Sequence, residues 1–422
     1  MVYFNIYIIS LFIERRLFYM KYSRNEVMQF ITEEDVKFIR LAFCDIYGKQ
    51  KNISIMPGEL ERAFNYGIAF DASAVDGFGG DVHSDLMLRP DPSTLSLLPW
   101  RPDHGRVVRM FCDVLYPDGT PFECDVRSIL RKAVDSAKKE GLSFAFGNEM
   151  EFYLFKTDDD GKVLNEPYDE AGYMDIAPED KGENVRREIC LTLEQMGIIP
   201  ESSHHEEGPG QNEIDFRYSS PLTAADDAVT FKSVVKTVAA RNGLYADFSP
   251  KPLEGKPGSG MHINISVKGG DENFLPYVIS GILDKISEMT VFLNPSEQSF
   301  KRFGSQKAPF YVTWSSENRS QLIRIPAAFG EYVRAELRSP DPGANPYIAY
   351  TLLIYAGLMG VKERKMLPPP ADINLYNASE EQLKMYNTLP RTLSESRDAA
   401  LKSEFISNYL PDTLIKSYCG LN

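Results

Sequence analysis

Acidic side chains recur on one face of several predicted β-strands. In residues 142–155, apolar residues alternate with small or acidic ones, so the two glutamates at positions 149 and 151 point the same way. The alternation recurs in three later segments and yields one set of side chains: Glu149, Glu151, Glu206, Glu213, His262 and Glu336. Like charges so close are unfavourable unless a cation compensates them. Because carboxylates and one histidine suit hard cations, we predict Mg²⁺ or Mn²⁺, with two adjacent ions able to share a phosphate.

Arginines form a second group of candidate residues. Five of them lie within a short segment of a chain that is acidic overall: Arg302, Arg319, Arg324, Arg334 and Arg338. Guanidinium groups are the usual partners of carboxylates and phosphates, and they spread the charge that develops in phosphoryl transfer. One such arginine is usually a surface ion-pair residue, but five beside a metal-ligand candidate indicate more. Together the two groups predict ATP-dependent chemistry on an acidic substrate.

The composition limits the classes of function. The chain has 422 residues, with 60 acidic and 46 basic side chains and a formal net charge of -14. A hydrophobic content of 43% and a charged content of 25% are typical of a soluble globular protein, and the length fits two unequal domains. The negative charge argues against nucleic acid or an anionic membrane surface as the main partner. No P-loop, H-E-x-x-H or G-x-S-x-G motif is present in the sequence.

Short strands and helices must position these side chains. Residues 34–56 predict a hairpin around Gly48, and residues 87–117 predict short strands broken by prolines. Asp125 is expected to cap a helix that Gly141 ends. Strands and helices interleave after it, which predicts an α+β fold. We expect a first domain over residues 20–119 and a larger one over residues 120–422.

The N-terminus and the cysteines bear on processing and location. The apolar stretch Val2–Ile13 is too short to span a bilayer and lacks the features of a signal peptide. Ser23 and Glu26 form a capping box just after Met20. We therefore expect Met20 to be the natural start and residues 1–19 to be a non-native extension. The five scattered cysteines predict reduced thiols in a cytoplasmic protein.

Several longer motifs resemble those of class I glutamine synthetase, from about Met20 to Asn422. They are Asn148–Phe152, His204–Glu206 with Gly210–Glu213, Gly258–His262, Asn318–Ser320, and Arg334–Pro342 with Asn345–Tyr347. Their occurrence in family order makes a fortuitous match very unlikely. The resemblance implies an N-terminal β-grasp domain followed by a catalytic half-barrel of antiparallel strands and helices, as in the glutamine synthetase and guanido kinase-like folds. It also implies a ring assembly, commonly a dodecamer of two hexamers.

The resemblance also implies a role for each matching residue. Glu151, Glu206 and Glu213 match ligands of one metal ion, and Glu149, His262 and Glu336 match ligands of a second. Arg302, Gly258 and Asp85 match substrate-binding residues; Arg324, Arg334, Ser266 and Asn264 match nucleotide-binding residues. Arg319 and Arg338 match arginines that stabilise the transferring phosphoryl group, and Asp71 matches the aspartate that deprotonates ammonium in a neighbouring subunit's site. The implied reaction joins ammonia to L-glutamate through γ-glutamyl phosphate, with ATP as co-substrate.

Three positions depart from the family pattern. Lys307 stands where the family has a glutamate before Ala-Pro; a lysine there would repel ammonium, although it could contact phosphate. Pro257 replaces an asparagine that contacts the amino-acid substrate, and Asn264 replaces a histidine near the nucleotide. Tyr376 lies in a segment that resembles the tyrosine loop adenylylated in some members.

These departures leave two alternatives to a glutamine synthetase. One is a γ-glutamyl ligase that accepts an amine or polyamine, for which Lys307 argues and the retained Asp71 argues against. The other is a synthetase-like regulatory ring without turnover, against which the complete set of glutamates and arginines argues.

Overall fold

The computed structural model describes residues 22–78, 84–101, 104–270, 272–304, 307–326 and 333–421. The predicted N-terminal extension lies outside the described residues. The chain divides into two compact units. The first comprises residues up to 44, 50–122 and 191–199, and the second comprises residues 45–49, 123–190 and 200 to the C-terminus. Helices and strands are numbered below in chain order.

A mixed sheet forms the first unit. Its strands are β1 (Val36–Cys44), β2 (Gln50–Ile55), β3 (Ile68–Asp71), β4 (Asp85–Pro90), β5 (Ser96–Leu97) and β6 (Arg106–Leu115). They run in the order β2-β1-β6-β4-β3, with β5 also paired to β6. The strands β1 and β2 form the predicted hairpin, whereas β1 and β6 are parallel. A hairpin joined to a parallel strand in this way is the arrangement expected of a β-grasp domain.

Two helices also belong to this unit, and one sequence prediction about its strands was wrong. Helix α1 (Arg24–Glu33) begins at the predicted capping box, in which the Ser23 amide donates to the Glu26 carboxylate at 2.6 Å. Helix α2 is Leu60–Tyr66. Prediction of only short strands in residues 87–117 was wrong for β6, which runs for 10 residues. The prolines that interrupt the sheet all precede this strand, so nothing breaks its ladder of hydrogen bonds.

A nine-stranded sheet forms the second unit. Its strands are β7 (Ser143–Thr157), β8 (Val163–Pro167), β9 (Pro200–His205), β10 (Gln211–Phe216), β11 (Leu244–Asp247), β12 (Met261–Lys268), β13 (Trp314–Ser315), β14 (Ile323–Arg324) and β15 (Ala335–Leu337). The order is β13-β14-β15-β12-β7-β10-β9, and β8 and β11 also pair with β7. Among the described strand pairs of this nine-stranded sheet, only β13 and β14 run parallel. The sheet thus supplies the antiparallel strands of the predicted catalytic half-barrel.

The remaining helices are α3 (Val126–Lys139), α4 (Glu183–Gln195), α5 (Pro221–Arg241), α6 (Leu275–Leu293), α7 (Glu297–Arg302), α8 (Pro346–Lys362), α9 (Glu380–Leu383), α10 (Leu393–Leu401), α11 (Glu404–Tyr409) and α12 (Asp412–Cys419). The Asp125 carboxylate caps α3 as predicted, and Gly141 follows its end with φ +73°. None of the helices in the described ranges has the length and apolar character needed to cross a membrane.

Strand β7 has one apolar face and one polar face, as its alternation predicted. On the apolar face, the Phe146 ring stacks on Tyr350 of α8 with ring centroids 4.3 Å apart. The Tyr350 hydroxyl donates to the Asn148 side chain at 2.7 Å, which gives that buried phenol a partner. Helix packing on one face of the strand therefore directs the glutamates of the other face away from the core.

Helices α6 and α8 cross at two glycines. A Cβ atom added to Gly281 would lie 2.1 Å from the Ala356 carbonyl oxygen, and one added to Gly360 would lie 2.1 Å from the Tyr277 carbonyl oxygen. Both obstacles are backbone atoms, so a side chain cannot be accommodated by a change of rotamer. The helical layer behind the strands of the second unit therefore depends on backbone contact between α6 and α8.

We therefore expect the Gly281→Ala substitution to separate α6 from α8 and to destabilise the protein by about 1–3 kcal/mol. Urea unfolding followed by circular dichroism measures this change. Gly58→Ala is the matched control, because a Cβ there meets no atom within 4 Å. Equal unfolding midpoints for the two variants would contradict the tight crossing.

Candidate active site

The register of four neighbouring strands brings predicted metal ligands together. Glu151 of β7 is paired directly with Glu213 of β10, and Glu149 of β7 is paired with His262 of β12. On the other side of β12, Glu336 of β15 is paired with Asn264. Because strand alternation is strict, this register puts acidic side chains from separate parts of the chain on one face.

The structure groups these side chains differently from the two predicted sets. Glu149, His262 and Glu336 offer ligand atoms within 4.8 Å of one another, as one set requires. The other predicted set is divided: Glu151 and Glu213 group with His262, whereas Glu206 and Glu213 group with His204. Glu213 also groups with Glu149 and Asp215, so it belongs to three overlapping clusters in the described part of the chain.

His262 lies between carboxylates on both sides of its ring. Its Nδ1 atom is 3.4 Å from Glu149 Oε2 and 3.7 Å from Glu336 Oε1, and its Nε2 atom is 4.0 Å from Glu151 Oε1. Within the described ranges, the buried Nε2 atom has no hydrogen-bond partner. A buried ring nitrogen without a partner, surrounded by carboxylate oxygens, fits the ligand shell of a divalent cation.

Two carboxylates of this face, Glu213 and Asp215, are not electrostatically compensated. Burial and the neighbouring carboxylates, Glu151 foremost, raise the pKa of Glu213 well above its usual value. Burial and Glu149 likewise raise the pKa of Asp215, to about 7. Sequence analysis did not select Asp215, although its alternation with Glu213 in β10 placed it on the same face. A bound cation is the physical remedy for such a cluster.

Two of the predicted arginines bracket one predicted metal ligand. Arg324 Nη1 donates to Glu336 Oε2 at 2.9 Å, and Arg338 Nη1 contacts the other carboxylate oxygen. Both guanidinium groups are thereby fixed beside the cluster. Arg319, in contrast, is exposed and forms no hydrogen bond or ion pair with the residues that the structure describes.

The polar neighbours of these arginines form a short chain. Arg334 Nε donates to Asn264 Oδ1 at 3.0 Å, and Asn264 Nδ2 donates to Glu149 Oε1 at 2.9 Å. The Ser266 hydroxyl donates to the Val333 carbonyl at 3.4 Å. Asn264, one of the three departures from the family pattern, thus connects an arginine to a predicted metal ligand.

Arg302 and Gly258 occupy one tightly packed corner. Arg302 is only 2% exposed, and its guanidinium donates to the carbonyls of Ser339 at 2.7 Å and Arg338 at 3.2 Å. A Cβ atom at Gly258 would lie 2.9 Å from Arg302 Cγ and 2.5 Å from the Pro250 carbonyl oxygen. The glycine is therefore required by packing. The neighbouring Pro257 contributes its carbonyl, which accepts a hydrogen bond from the Tyr153 hydroxyl at 2.8 Å.

Lys307 points to carboxylates. Its Nζ atom lies 3.1 Å from Glu206 Oε2 and 3.1 Å from Glu207 Oε1, and 4.5 Å from the centre of the Tyr173 ring. Although burial opposes the charged form, Glu206 raises the pKa of this ammonium group. The sequence predicted a lysine near ammonium or phosphate but did not predict these partners.

A pair of histidines beside Glu206 was not predicted as part of the site. His204 Nε2 lies 3.2 Å from Glu206 Oε1. His205 directs Nε2 to Asp169 Oδ1 at 2.8 Å and Nδ1 to the Glu206 carbonyl at 2.7 Å. Since both ring nitrogens of His205 face acceptors, these contacts favour the protonated ring and raise its pKa, even though burial lowers it. The sequence signal was their adjacency to Glu206.

Two predicted functional residues belong to the other unit of the chain. Asp71 and Asp85 belong to the first unit, where they face each other across β3 and β4. Hydrogen bonds from the Ser73 hydroxyl at 2.6 Å and its amide at 3.0 Å lower the pKa of Asp71. Tyr376 is half-buried in the second unit; burial raises the pKa of its phenol, and Arg338 and Arg302 oppose the shift.

A β-grasp unit and a catalytic unit with a carboxylate-lined antiparallel sheet define a class of ligases. Residues 35–117 match the glutamine synthetase beta-Grasp domain, and residues 123–422 match the glutamine synthetase catalytic domain. The chain belongs to the glutamine synthetase family. This membership confirms the predicted family and fold class.

Individual relatives agree with this assignment. A protein named glutamine synthetase from Clostridium saccharobutylicum is 43% identical over 414 residues, which is 94% of this chain and 94% of the relative. One from Methanosarcina mazei is 43% identical over 412 residues, covering 94% and 92%. A solved GmaS/ADP complex superimposes with a TM-score of 0.85 at 26% identity, covering 95% of this chain and 94% of that one. The relatives support the predicted glutamate–ammonia ligase activity, and use of ATP and divalent metal is typical of the family.

The charge cluster makes a prediction about the metal-free protein. Because the pKa of Glu213 is raised on folding, its negative charge opposes folding at neutral pH, and the stability of the protein falls as pH rises toward that pKa. We expect Glu213→Gln to raise the apparent Tm of the metal-free protein at pH 7, and the difference from the wild type to shrink on acidification. Thermal unfolding in the presence of a chelator measures both effects. Asp160→Asn, at an exposed position, is the control; a Tm of Glu213→Gln below that of the wild type would contradict the cluster.

Proposed function

We propose that this protein joins ammonia to the γ-carboxylate of L-glutamate at the expense of ATP and so supplies L-glutamine for nitrogen assimilation. The observation that supports it most is the convergence of buried carboxylates and His262 with Arg324 and Arg338 on one sheet face. ATP and glutamate are both anions and repel each other. A site with cations held by carboxylates, and with arginines beside them, offsets this repulsion.

Two divalent ions, Mg²⁺ or Mn²⁺, form part of the proposal. Glu149, His262 and Glu336 would hold one, and Glu151, Glu206 and Glu213 would hold the other. The donor set fits hard cations because it is dominated by carboxylate oxygens and includes the unpartnered nitrogen of His262. When bound, such ions would neutralise phosphate charge during the transfer.

The reaction proceeds in two steps. A γ-carboxylate oxygen of glutamate attacks the terminal phosphorus of ATP, the bond to ADP breaks, and γ-glutamyl phosphate forms. Ammonia then attacks the carbonyl carbon of that intermediate, and phosphate leaves. Asp71 would hold the ammonium ion by charge and accept its proton before the attack, which gives neutral ammonia as the nucleophile; the lowered pKa of its carboxyl keeps it ionised for binding.

The other residues would bind and orient the substrates. Arg319 and Arg338 would stabilise charge on the transferring phosphoryl group. The nucleotide would be held by Arg324, Arg334, Ser266 and Asn264, and the amino acid by Arg302, Gly258 and Asp85. The support for these roles is the family motif together with the contacts that fix most of these side chains near the carboxylate cluster.

The proposal includes an assembly and a location. We infer a cytoplasmic homo-oligomer, a dodecamer of two hexameric rings, in which Asp71 and Asp85 of one subunit complete a neighbour's site. Family resemblance is the support for this arrangement. Sedimentation analysis checks it: a species of one or two chains would contradict the ring.

A γ-glutamyl ligase with another amine as acceptor is the second candidate. Lys307 favours it, because a fixed cation near the site disfavours ammonium. The ionised carboxylate of Asp71 opposes it, since a carboxylate suits a small cationic substrate.

A comparison of phosphate release with different amines identifies the acceptor. We expect ATP-dependent phosphate release with glutamate plus ammonium to exceed release with glutamate plus methylamine or putrescine, and the product to be glutamine by mass spectrometry. A chelator should abolish release in every case. Turnover with an amine but not with ammonium would establish the second candidate, and no turnover with either would favour a regulatory ring.

Lys307 offers a test of ammonium use. If its charge repels ammonium, Lys307→Glu should lower the KM for ammonium by about three- to tenfold, because a repulsive contact becomes attractive. Steady-state kinetics at saturating glutamate and ATP measure this KM. Lys301→Glu is the matched control, since Lys301 is exposed on α7. An unchanged KM in Lys307→Glu would show that Lys307 does not act on the acceptor.

A further inference from the structure

We propose that Lys307 is a built-in cation that occupies the Glu206 carboxylate until a divalent ion displaces it. The inference rests on the proposed function only in taking Glu206 as a metal ligand. It assigns Lys307 a role in setting metal affinity at one of the two positions, which is separate from any effect on the acceptor.

The ammonium group of Lys307 is held at three points. It contacts one oxygen of Glu206 and one of Glu207, both at 3.1 Å, and it lies over the Tyr173 ring at 4.5 Å. The Glu206 side chain is only 8% exposed, whereas Glu207 is 39% exposed. The lysine therefore neutralises a buried charge that would otherwise require another cation.

These contacts use the Glu206 atoms that a metal would need. Glu206 Oε2 accepts from Lys307 and from the Glu207 amide at 3.0 Å, while Oε1 faces His204 Nε2 at 3.2 Å. In keeping with this, Glu206 groups with His204 and Glu213, and not with Glu151, among the described clusters. A divalent ion on Oε2 and an ammonium group on the same atom would repel each other strongly, so one must leave.

The structure also provides a place for the displaced ammonium group. Glu207 and Tyr173 lie outside the predicted ligand sets, and both can retain Lys307 when Glu206 is taken. The Lys307 backbone has φ +65°, a left-handed conformation that is unfavourable for a lysine.

The competition affects only one metal position. The second cluster, Glu149, His262 and Glu336, has no contact with Lys307 among those described. Its affinity should therefore not depend on this lysine. Replacement of Lys307 is therefore expected to change the affinity for one divalent ion more than the affinity for the other.

Mn²⁺ titration of the full-length protein, followed by the electron paramagnetic resonance signal of free Mn²⁺, tests this inference. We expect Lys307→Met to lower one of the two Mn²⁺ dissociation constants by about three- to tenfold, as the loss of one or two partly exposed ion pairs implies. The other Kd should stay within about twofold, because Lys307 contacts none of the predicted ligands of that position among the described residues. Lys301→Met should match the wild type. Equal Kd values in wild type and Lys307→Met, or equal tightening of both ions, would overturn the proposal.

Lysine labelling of the wild-type protein gives a second readout that requires no variant. An amine-reactive reagent and mass spectrometry report how strongly each ammonium group is held. We expect Mn²⁺ at saturation to increase the labelling rate of Lys307 severalfold and to leave Lys301 unchanged. Saturation with Mn²⁺ without any change at Lys307 would contradict displacement. Both measurements are independent of turnover, so they stand even if the protein fails to make glutamine.

Discussion

The concentration of negative charge on one face of the nine-stranded sheet is the constraint on which the rest of this structure depends. Antiparallel register sets Glu151 directly against Glu213, a pairing that a sheet disfavours when nothing compensates it. Arg324 and Arg338 neutralise Glu336, and Lys307 neutralises Glu206, but the pKa of Glu213 stays well above its usual value. The site is therefore incomplete as a set of protein side chains, and in the proposed function divalent cations would supply the missing charge. Catalysis would use the same imbalance, because ions that relieve it would also attract the two anionic substrates.

The opposite face of the same strands packs against helices, and this packing fixes the position of the strands. Phe146 stacks on Tyr350, and α6 and α8 approach so closely at their glycines that backbone meets backbone. Since a shift of one residue in strand register exchanges the two faces, this apolar packing fixes which side chains reach the site. The helices that pack on the apolar face therefore help to determine where the candidate metal ligands lie on the other face.

Sequence analysis identified the six candidate ligands because a period of two residues is a local property that needs no knowledge of the fold. It identified the capping box of α1, the Asp125 cap of α3 and the first hairpin for the same reason. What it missed depends on contacts between distant parts of the chain: Lys307 with Glu206, and His205 with Asp169. The sequence likewise did not predict the main-chain partners of Arg302, because these contacts follow from how the loop after β15 folds back. The roles of single residues came from the family motifs, which specify chemistry without specifying which side chains touch in the absence of substrates.

The length and amphipathic character of β7 have a consequence for synthesis of the chain. A strand of 15 residues with three phenylalanines on one face is the kind of segment that associates with its own copies before the partner strands exist. Glu149 and Glu151 oppose such association, since identical strands stacked in register would align the same carboxylates. We expect these residues to act as gatekeepers against aggregation of nascent chains. The charge repulsion present in the folded site would then also limit aggregation while the chain is folding.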